Sequence, residues 1–239
     1  MITRKRKTVN IHKEIDVLDK VSSTIVSDMY LEDILKIIVA MTAEVMGSKI
    51  CSLMLLNEQG TELKLAASQS LSQEYLKKPD VKVGLSISGR AVSSKKPITI
   101  LDVRKDAKYM FPEVAKKEKL CSMLAVPLIV KGKAIGVLNC YTSRPHKFTV
   151  REIRLVSAVA NQAAVAIYNR RLLDEKTALE MKLEERKLIE RAKGILMKNE
   201  GISENEAYRI IQKQSMDNRK SMKEIAEAVI LAHGITADK

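Results

Sequence analysis

The spacing of apolar residues changes from a helical to a strand-like period near residue 47. Residues 12–28 and 31–46 carry apolar side chains at steps of three and four, which places these side chains on one face of a helix. In the second segment that face comprises Leu31, Ile34, Leu35, Ile38 and Met41. We therefore expect two helices at the start of the chain, the second ending at Gly47.

Shorter apolar runs after residue 47 predict β-hairpins. Two pairs of runs are each joined by a short turn: 49–56 and 61–67 around Asn57-Glu58-Gln59-Gly60, and 120–130 and 133–141 around Lys131-Gly132. Strands joined by such short connections pair antiparallel, so an antiparallel sheet is expected.

The region between the two hairpins mixes short elements with polar stretches. Its pattern predicts a strand at 81–84, a short helix at 88–94, an extended piece at 97–102 and a polar loop at 105–119. Of the whole chain, this region is the best suited to enclosing a small ligand.

A long helix is predicted from Thr149, because neither proline nor glycine occurs between Thr149 and Lys193. Its first part carries an apolar face made by Ile153, Val156, Ala160, Ala163 and Ile167. Beyond Arg170 the pattern weakens to Leu172, Leu179 and Leu183 among charged residues. We interpret this stretch as an imperfect coiled coil that forms a homodimer, and a solvated linker helix is the alternative.

Two short helices with sharp boundaries follow the long one. Gly201 is placed to end the long helix, and Ser203 with Glu206, then Ser221 with Glu224, have the spacing of capping boxes. The apolar residues expected to pack in these two helices are Ile202, Ala207, Ile210, Ile211, Met222, Ile225, Ala226, Val229 and Ile230. Together with the end of the long helix they predict a three-helix bundle.

Composition narrows the setting in which this fold works. Three cysteines, Cys51, Cys121 and Cys140, fit neither a disulfide framework nor a paired zinc-ligand set, so a reducing cytoplasm and no metal are expected. No secretion signal is evident, and charge interrupts every apolar stretch well before the roughly 18 residues of a membrane span. The net charge is +13, but residues 170–239 hold 15 Lys or Arg against 13 acidic residues. The overall charge is therefore weak evidence for nucleic-acid binding.

The end of the long helix separates into an apolar side and a basic side. At about 100° per residue, Lys187, Arg191, Gly194 and Lys198 fall within about 60° of one another, opposite the apolar residues Ile189, Ala192 and Leu196. Glycine inside an exposed helix costs about 1 kcal/mol relative to alanine, so Gly194 suggests close approach of a phosphate or base. The alternative is that Gly194 loosens the helix or admits a neighbouring helix.

Further candidates for nucleic-acid contact lie in the two short helices. Tyr208 and Arg209 belong to the first, and Arg219 and Lys220 precede the second. Unpaired RNA bases are commonly held by stacking on tyrosine rings and guanidinium planes, and arginine can grip phosphate with two parallel bonds. A half-buried core tyrosine is the alternative for Tyr208.

The N-terminal elements resemble a GAF domain over roughly residues 15–172. The resemblance is carried by the element order and by Ala125-Val126-Pro127-Leu128, Gly136-Val137-Leu138, Phe148-Thr149 and Ala166-Ile167-Tyr168-Asn169. It implies a sensor of an unidentified small-molecule effector. The Asn-Lys pair of cyclic-nucleotide-binding members is missing after Val137, where the chain reads Leu138-Asn139-Cys140-Tyr141.

The C-terminal elements resemble an ANTAR domain over about residues 176–233. The matching motifs are Ile189-Glu190-Arg191-Ala192-Lys193-Gly194-Ile195-Leu196-Met197, Ser203 with Glu206-Ala207-Tyr208, Ser215-Met216-Asp217-Asn218-Arg219-Lys220-Ser221, and Ile225-Ala226. Members of this family are transcription antiterminators whose dimers capture two neighbouring hairpins, with six-nucleotide loops, in a leader mRNA. The resemblance implies RNA contacts by Arg191, Lys193, Gly194, Tyr208, Arg219 and Lys220.

These patterns give an α+β fold: an antiparallel-sheet GAF-like domain flanked by helices, a long connecting coiled-coil helix and a small C-terminal three-helix bundle. The expected domains are a basic N-terminal tail at 1–14, the GAF-like domain at 15–172, a helical coiled-coil linker at 173–185, the ANTAR-like domain at 176–233 and a C-terminal tail at 234–239.

Three other function classes remain open on the sequence alone. A DNA-binding helix-turn-helix also uses short capped helices. An adaptor that docks on another protein through the long helix would need no nucleic acid. An enzyme is not expected, because the chain has no P-loop, no Rossmann glycine pattern and no catalytic or metal-ligand cluster, and His12, His146 and His233 are scattered with no evident partners.

Overall fold

The computed structural model describes the backbone of residues 2–27, 29–70 and 72–237, and the side chains of 13–27, 29–70, 72–73 and 75–233. The chain forms two compact units, Met1–Arg170 and Arg171–Lys239. The helices are α1 Ile2–Ile25, α2 Leu31–Met46, α3 Gln73–Leu76, α4 Ile87–Ser94, α5 Pro112–Lys117, α6 Val150–Glu200, α7 Glu204–Asn218 and α8 Met222–Ala237.

The first unit is built on one six-stranded antiparallel sheet. Its strands are β1 Ile50–Leu56, β2 Glu62–Ser68, β3 Val81–Lys82, β4 Ile98–Ile100, β5 Met123–Val130 and β6 Lys133–Tyr141, in the order β3-β2-β1-β6-β5-β4. Lys131 and Gly132 both have positive φ values, 49° and 73°, as the predicted two-residue turn between β5 and β6 requires. The predicted α+β class with an antiparallel sheet is confirmed.

Apolar side chains cover both faces of this sheet. On one face, side chains of α1, α2 and the first part of α6 form a cluster with Leu53, Leu138 and Cys140. On the other face, the short helices and loops between β2 and β5 pack over Met54, Val137 and Tyr141. Because alternate residues of each strand enter opposite clusters, the central strands are buried on both sides.

The second unit contains the end of α6 together with α7 and α8. Its buried core comprises Ala192, Leu196, Ala207, Ile211, Ile225 and Ala226. Gly201 has φ +66° after the end of α6, and each predicted capping box forms both of its reciprocal hydrogen bonds. The predicted bundle is confirmed, although Ile210, expected in its core, is 36% exposed.

Three segments differ from the sequence-based expectation. The segment expected as a basic tail at 1–14 is helical from Ile2 onward, and α8 extends to Ala237, within the expected tail at 234–239. Met1 and residues 238–239 lie outside the described residues. The predicted polar loop at 105–119 contains α5, which has proline in its first turn and Lys116 and Lys117 in its last turn.

Candidate nucleic-acid interface and sensor cleft

The basic side of α6 is open to solvent. Lys187, Arg191, Gly194 and Lys198 are all exposed, as the helical geometry predicted. The Nζ of Lys187 lies 3.6 Å from Oε2 of Glu184, and both side chains are more than half exposed, so this pair contributes little to stability. We call these four residues the basic stripe.

Gly194 has free space where a side chain would be. A Cβ atom built on Gly194 would meet no atom within 4 Å outside its own helix backbone. The described structure therefore gives no support to the alternative that Gly194 admits a neighbouring helix. What remains is open space beside the helix backbone at Gly194, between Arg191 and Lys198.

Lys193, for which the ANTAR resemblance implies an RNA contact, does not face outward. The residue is 6% exposed, and its Nζ donates hydrogen bonds to Oε1 of Glu190 and Oε1 of Glu204, each at 2.8 Å. These two carboxylates raise the pKa of Lys193 above its ordinary value. Lys193 thus ties α6 to α7, and its sequence neighbours Arg191 and Gly194 carry the exposed face.

Two candidate residues on α7 are exposed. Tyr208 is 42% exposed and lies outside the apolar core of the bundle, so part of its ring is available to solvent. Arg209 is exposed beside it. The capping box at Ser203 fixes the start of this helix, while Ala207 and Ile211 anchor it in the bundle core.

The turn between α7 and α8 presents Arg219 and Lys220. Arg219 has φ +53°, a left-handed conformation that ends α7, and both side chains are exposed. Ser215 holds the turn, since its hydroxyl donates to the carbonyl of Lys220 at 2.6 Å and its carbonyl accepts from the Lys220 N–H at 3.1 Å. The bundle therefore carries two basic side chains on a backbone fixed by hydrogen bonds.

A second site lies in the first unit, in the region between the two hairpins that the sequence predicted to enclose a ligand, although none of its residues was predicted individually. Lys78 is largely buried, and its Nζ lies 3.6 Å from the ring centroid of Tyr75, 5.1 Å from that of Phe111 and 5.8 Å from that of Tyr141. Burial lowers the pKa of Lys78 to about 7. Buried cations of this kind mark candidate binding sites.

Lys78 lines a cleft between the sheet and the segments that follow β2, which we call the sensor cleft. The cleft has about 290 Å³ of empty space, including its open mouth. The scarcity of aromatic residues could have pointed to the sensor cleft. The chain has only six tyrosines and two phenylalanines, and four of these eight rings, Tyr75, Tyr109, Phe111 and Tyr141, lie in the apolar cluster around the cleft. The prediction that this region encloses a ligand is consistent with the cleft.

The tyrosines of the sensor cleft differ in their hydrogen bonding. The hydroxyl of Tyr75 lies 2.6 Å from Oγ of Ser52. The hydroxyl of Tyr109 is buried and makes no hydrogen bond of normal length with the described residues, although the neighbouring Tyr141 hydroxyl interacts with it, and burial raises the pKa of Tyr109 to about 12. A buried hydroxyl without a good hydrogen bond destabilises the folded state, so the site favours a group that can accept a hydrogen bond from it.

The histidines and cysteines add detail to the first unit. His146 does have a partner, contrary to expectation: its Nε2 lies 3.0 Å from Oε1 of Glu152. His12 lies outside the described side chains. All three cysteines are buried and free, and the Sγ atoms of Cys51 and Cys140 lie 3.7 Å apart on β1 and β6.

Two other features are absent from the described residues, a metal-binding cluster and a membrane-spanning helix. No cluster of three or more His, Cys, Asp or Glu in the described part of the chain could hold a metal ion. Within the same ranges, each helix is either too short or too polar to cross a membrane.

Comparison with protein families gives two matches. Residues 29–167 match the GAF domain, and residues 177–230 match the ANTAR domain. The first match covers more than half of the chain.

Two known relatives match short stretches of the chain. The transcriptional regulatory protein PdtaR of Mycobacterium tuberculosis is 44% identical over 64 residues, which is 27% of this chain and 31% of that protein. The nitrate regulatory protein of Klebsiella oxytoca is 48% identical over 48 residues, 20% of this chain and 12% of that protein. The chain therefore spans a third or less of the length of these two relatives.

Solved structures match the first unit. The GAF domain of a phosphoenolpyruvate-protein phosphotransferase from Coxiella burnetii aligns with a TM-score of 0.62 at 23% identity, covering 69% of this chain and 98% of that structure. At this identity the likeness establishes the fold.

Proposed function

The chain belongs to the GAF domain family and carries an ANTAR domain after its GAF domain, and from this premise we propose that it is a ligand-responsive transcription antiterminator. In this proposal the ANTAR domain binds paired hairpin loops in a leader mRNA, and the GAF domain senses a small molecule. The protein acts as a cytoplasmic regulator and performs no catalysis. The names of PdtaR and of the nitrate regulatory protein support a regulatory role.

The observation that carries the proposal is the open backbone at Gly194 within the basic stripe. A helix that gives up stability for a glycine on its exposed face gains close access to a ligand. Arg191 and Lys198 stand one turn away on either side, where they would contact phosphates.

The remaining RNA contacts are assigned to exposed side chains of the same bundle. Tyr208 would stack on an unpaired loop base, with Arg209 beside it, and Arg219 and Lys220 would hold the phosphate backbone. Lys187 and Lys198, at the two ends of the basic stripe, would also lie along the RNA. Lys193 is left out of this surface because its ammonium group is occupied by two carboxylates.

A homodimer would let one protein hold two hairpins at once. In the middle of α6, Leu172, Leu179 and Leu183 are 44%, 66% and 56% exposed and fall on one side of the helix. Pairing of this side with a second copy would cover the leucines. The second hairpin would then bind at a high effective concentration once the first is held.

The connecting helix offers a route from sensor to bundle. Residues of α6 belong to the core of the first unit at Val156 and Ile167 and to the bundle core at Ala192 and Leu196. A change of helix pairing on ligand binding would therefore alter how two bundles are presented to RNA. We propose that the effector acts through this pairing.

The test measures binding of the full chain to an RNA with two neighbouring six-nucleotide hairpin loops, against a DNA duplex of equal length. We expect R191A to weaken RNA binding about tenfold or more and to reduce the slope of log K against log salt by about 0.7 to 0.9. The matched control is K182A, which removes an exposed lysine on the other side of α6.

Three results would reject this assignment. Equal loss in R191A and K182A would make the effect one of net charge. Tighter binding to the DNA duplex would favour a helix-turn-helix function, and absence of nucleic-acid binding at low salt would favour a protein adaptor.

A further inference from the structure

The sensor cleft contains a positive charge with no acidic partner among the described residues. Lys78 has aromatic contacts but makes no described hydrogen bond or ion pair. Of the neighbouring acidic side chains that the structure describes, Asp80 lies 3.8 Å from Lys64, and Glu118 accepts a hydrogen bond from Ser72. Burial lowers the pKa of Lys78, and an anion bound beside it would favour the charged ammonium form, so a lysine in this state favours binding of an anion.

A second positive element borders the same cleft. Ser86, Ile87 and Ser88 at the start of α4 line it, and α4 has eight residues. The first backbone N–H groups of a helix have no acceptor within the helix and carry partial positive charge. The Ser86 side chain accepts from the N–H of Gly89 at 2.9 Å, and no acceptor is described for the N–H groups of Ile87 and Ser88.

The third observation is the buried hydroxyl of Tyr109. Tyr109 lines the cleft and is 8% exposed, and its buried oxygen makes no hydrogen bond of normal length, with the Tyr141 hydroxyl as a neighbour that interacts with it. A hydroxyl near a buried ammonium group and a helix start is well suited to donate to an anionic oxygen. Three independent features therefore favour the same kind of ligand.

The rest of the cleft limits what else the ligand can be. Met54, Met110 and Met123 supply flexible apolar surface, and the cleft is small, so a ligand held there has few non-hydrogen atoms. One lysine matches a single negative charge better than the several charges of a nucleotide phosphate chain.

We propose that the sensor cleft binds a small monocarboxylate, with its carboxylate held by Lys78, the Tyr109 hydroxyl and the first turn of α4, and its apolar part against the three methionines. The inference assigns a chemical class to the effector of the proposed sensor domain and rests on that part of the proposed function. A short-chain carboxylate satisfies the charge, the hydroxyl and the apolar lining together.

The test uses three probes of equal length on the full chain: butyrate, the neutral butyramide and the cationic butylamine, at matched ionic strength. Methionine methyl groups labelled with ¹³C report binding by NMR. Butyrate should shift the signals of Met54, Met110 and Met123 in a saturable way and leave that of Met216, in the second unit, in place. Butyramide and butylamine should leave all four in place.

Single substitutions test which side chains hold the carboxylate of butyrate. K78M should weaken butyrate binding at least about tenfold, and Y109F about tenfold, as expected for hydrogen bonds to a charged group. K77M, which removes the exposed neighbouring lysine, should bind butyrate as the unmodified chain does. Y109F also removes a buried hydroxyl without a good hydrogen bond, so we expect it to fold.

Several results would overturn the proposal. They are no methionine shift with butyrate at 50 mM, the same shifts with butyramide or butylamine, or undiminished binding in K78M. Hairpin RNA binding of the chain without any probe is measured in parallel. RNA binding without a butyrate response rejects the carboxylate site alone, and a butyrate response without RNA binding rejects the antiterminator function alone.

Discussion

The Nζ of Lys193 lies 2.8 Å from Oε1 of Glu204, which joins an ammonium group on α6 to a carboxylate in the first turn of α7. The position suits Glu204 because negative charge is favourable at a helix start. Glu190 binds the same Nζ at 2.8 Å, so Lys193 is shared between two acidic side chains. This contact fixes how α6 and α7 pack beside the exposed Gly194.

We predict that K193M loosens the bundle. Methionine keeps the length of the buried side chain but removes both ion pairs. Solvent partly screens these pairs, because the two glutamates are more than half exposed. Hydrogen exchange of the α7 amides in the full chain should become roughly two- to fivefold faster. The control is K198M on the basic stripe, which should leave exchange unchanged. Unchanged exchange in K193M combined with a loss of RNA affinity would instead return Lys193 to the RNA surface.

The contrast between Lys193 and its neighbours shows what the sequence could and could not reveal. Helical geometry placed Arg191, Gly194 and Lys198 correctly on the exposed side, since that depends only on local spacing. The burial of Lys193 depends on Glu204, eleven residues further on and in another helix. A charge count along α6 therefore could not distinguish a free lysine from a paired one.

The parts of the fold that could be predicted are those that depend on local sequence features. Capping boxes, two-residue turns and apolar periods are local, and the sheet, the long helix and the bundle followed from them. The sensor cleft instead joins Lys78 to Tyr75, Phe111 and Tyr141 from separate segments. Only the packing of loops over the sheet brings these groups together, so no single sequence motif indicated it.

We predict that G194A separates stability from RNA binding. Alanine has the higher helix propensity, and its Cβ would enter free space, so the bundle should gain about 1 kcal/mol in free energy of unfolding. If RNA approaches the backbone at Gly194, the added methyl group should weaken hairpin binding. Slower hydrogen exchange of the last turns of α6, measured with RNA titrations, checks both effects. Equal or tighter RNA binding by G194A would show that the glycine has no contact role.

We predict that the leucine side of α6 holds the dimer. L179E places a charge among the exposed leucines, whereas M181E places the same charge about 160° away around the helix. The two residues are 66% and 67% exposed, so the pair is matched in exposure. L179E should shift the chain to a monomer in light scattering and reduce two-hairpin RNA affinity by about a hundredfold. M181E should do neither, and a monomer in the unmodified chain would exclude the coiled coil altogether.

Lys78 should make the free energy of unfolding depend on pH. The direction of that dependence should show that Lys78 is its source. Burial lowers its pKa from 10.5 to about 7, so between these values the unfolded chain binds a proton at this site that the folded chain does not. The contribution of Lys78 to the free energy of unfolding should therefore rise as pH increases from 7 to 10.5, and be least favourable below pH 7. The facing groups Tyr75, Tyr109 and Tyr141 have pKa values raised by burial and stay neutral over most of this window.

K78M tests this directly in urea unfolding of the full chain at pH 6 and pH 10. At pH 6 the variant should be the more stable protein, because it has no charge to desolvate, although it loses the cation–π contacts. At pH 10 most of that advantage should be gone, and K77M should match the unmodified chain at both values. A K78M variant that is less stable at pH 6 would mean that the aromatic rings compensate the buried charge fully, and the site would then need no anion. A gain in stability on losing Lys78 is the signature of a residue retained for binding.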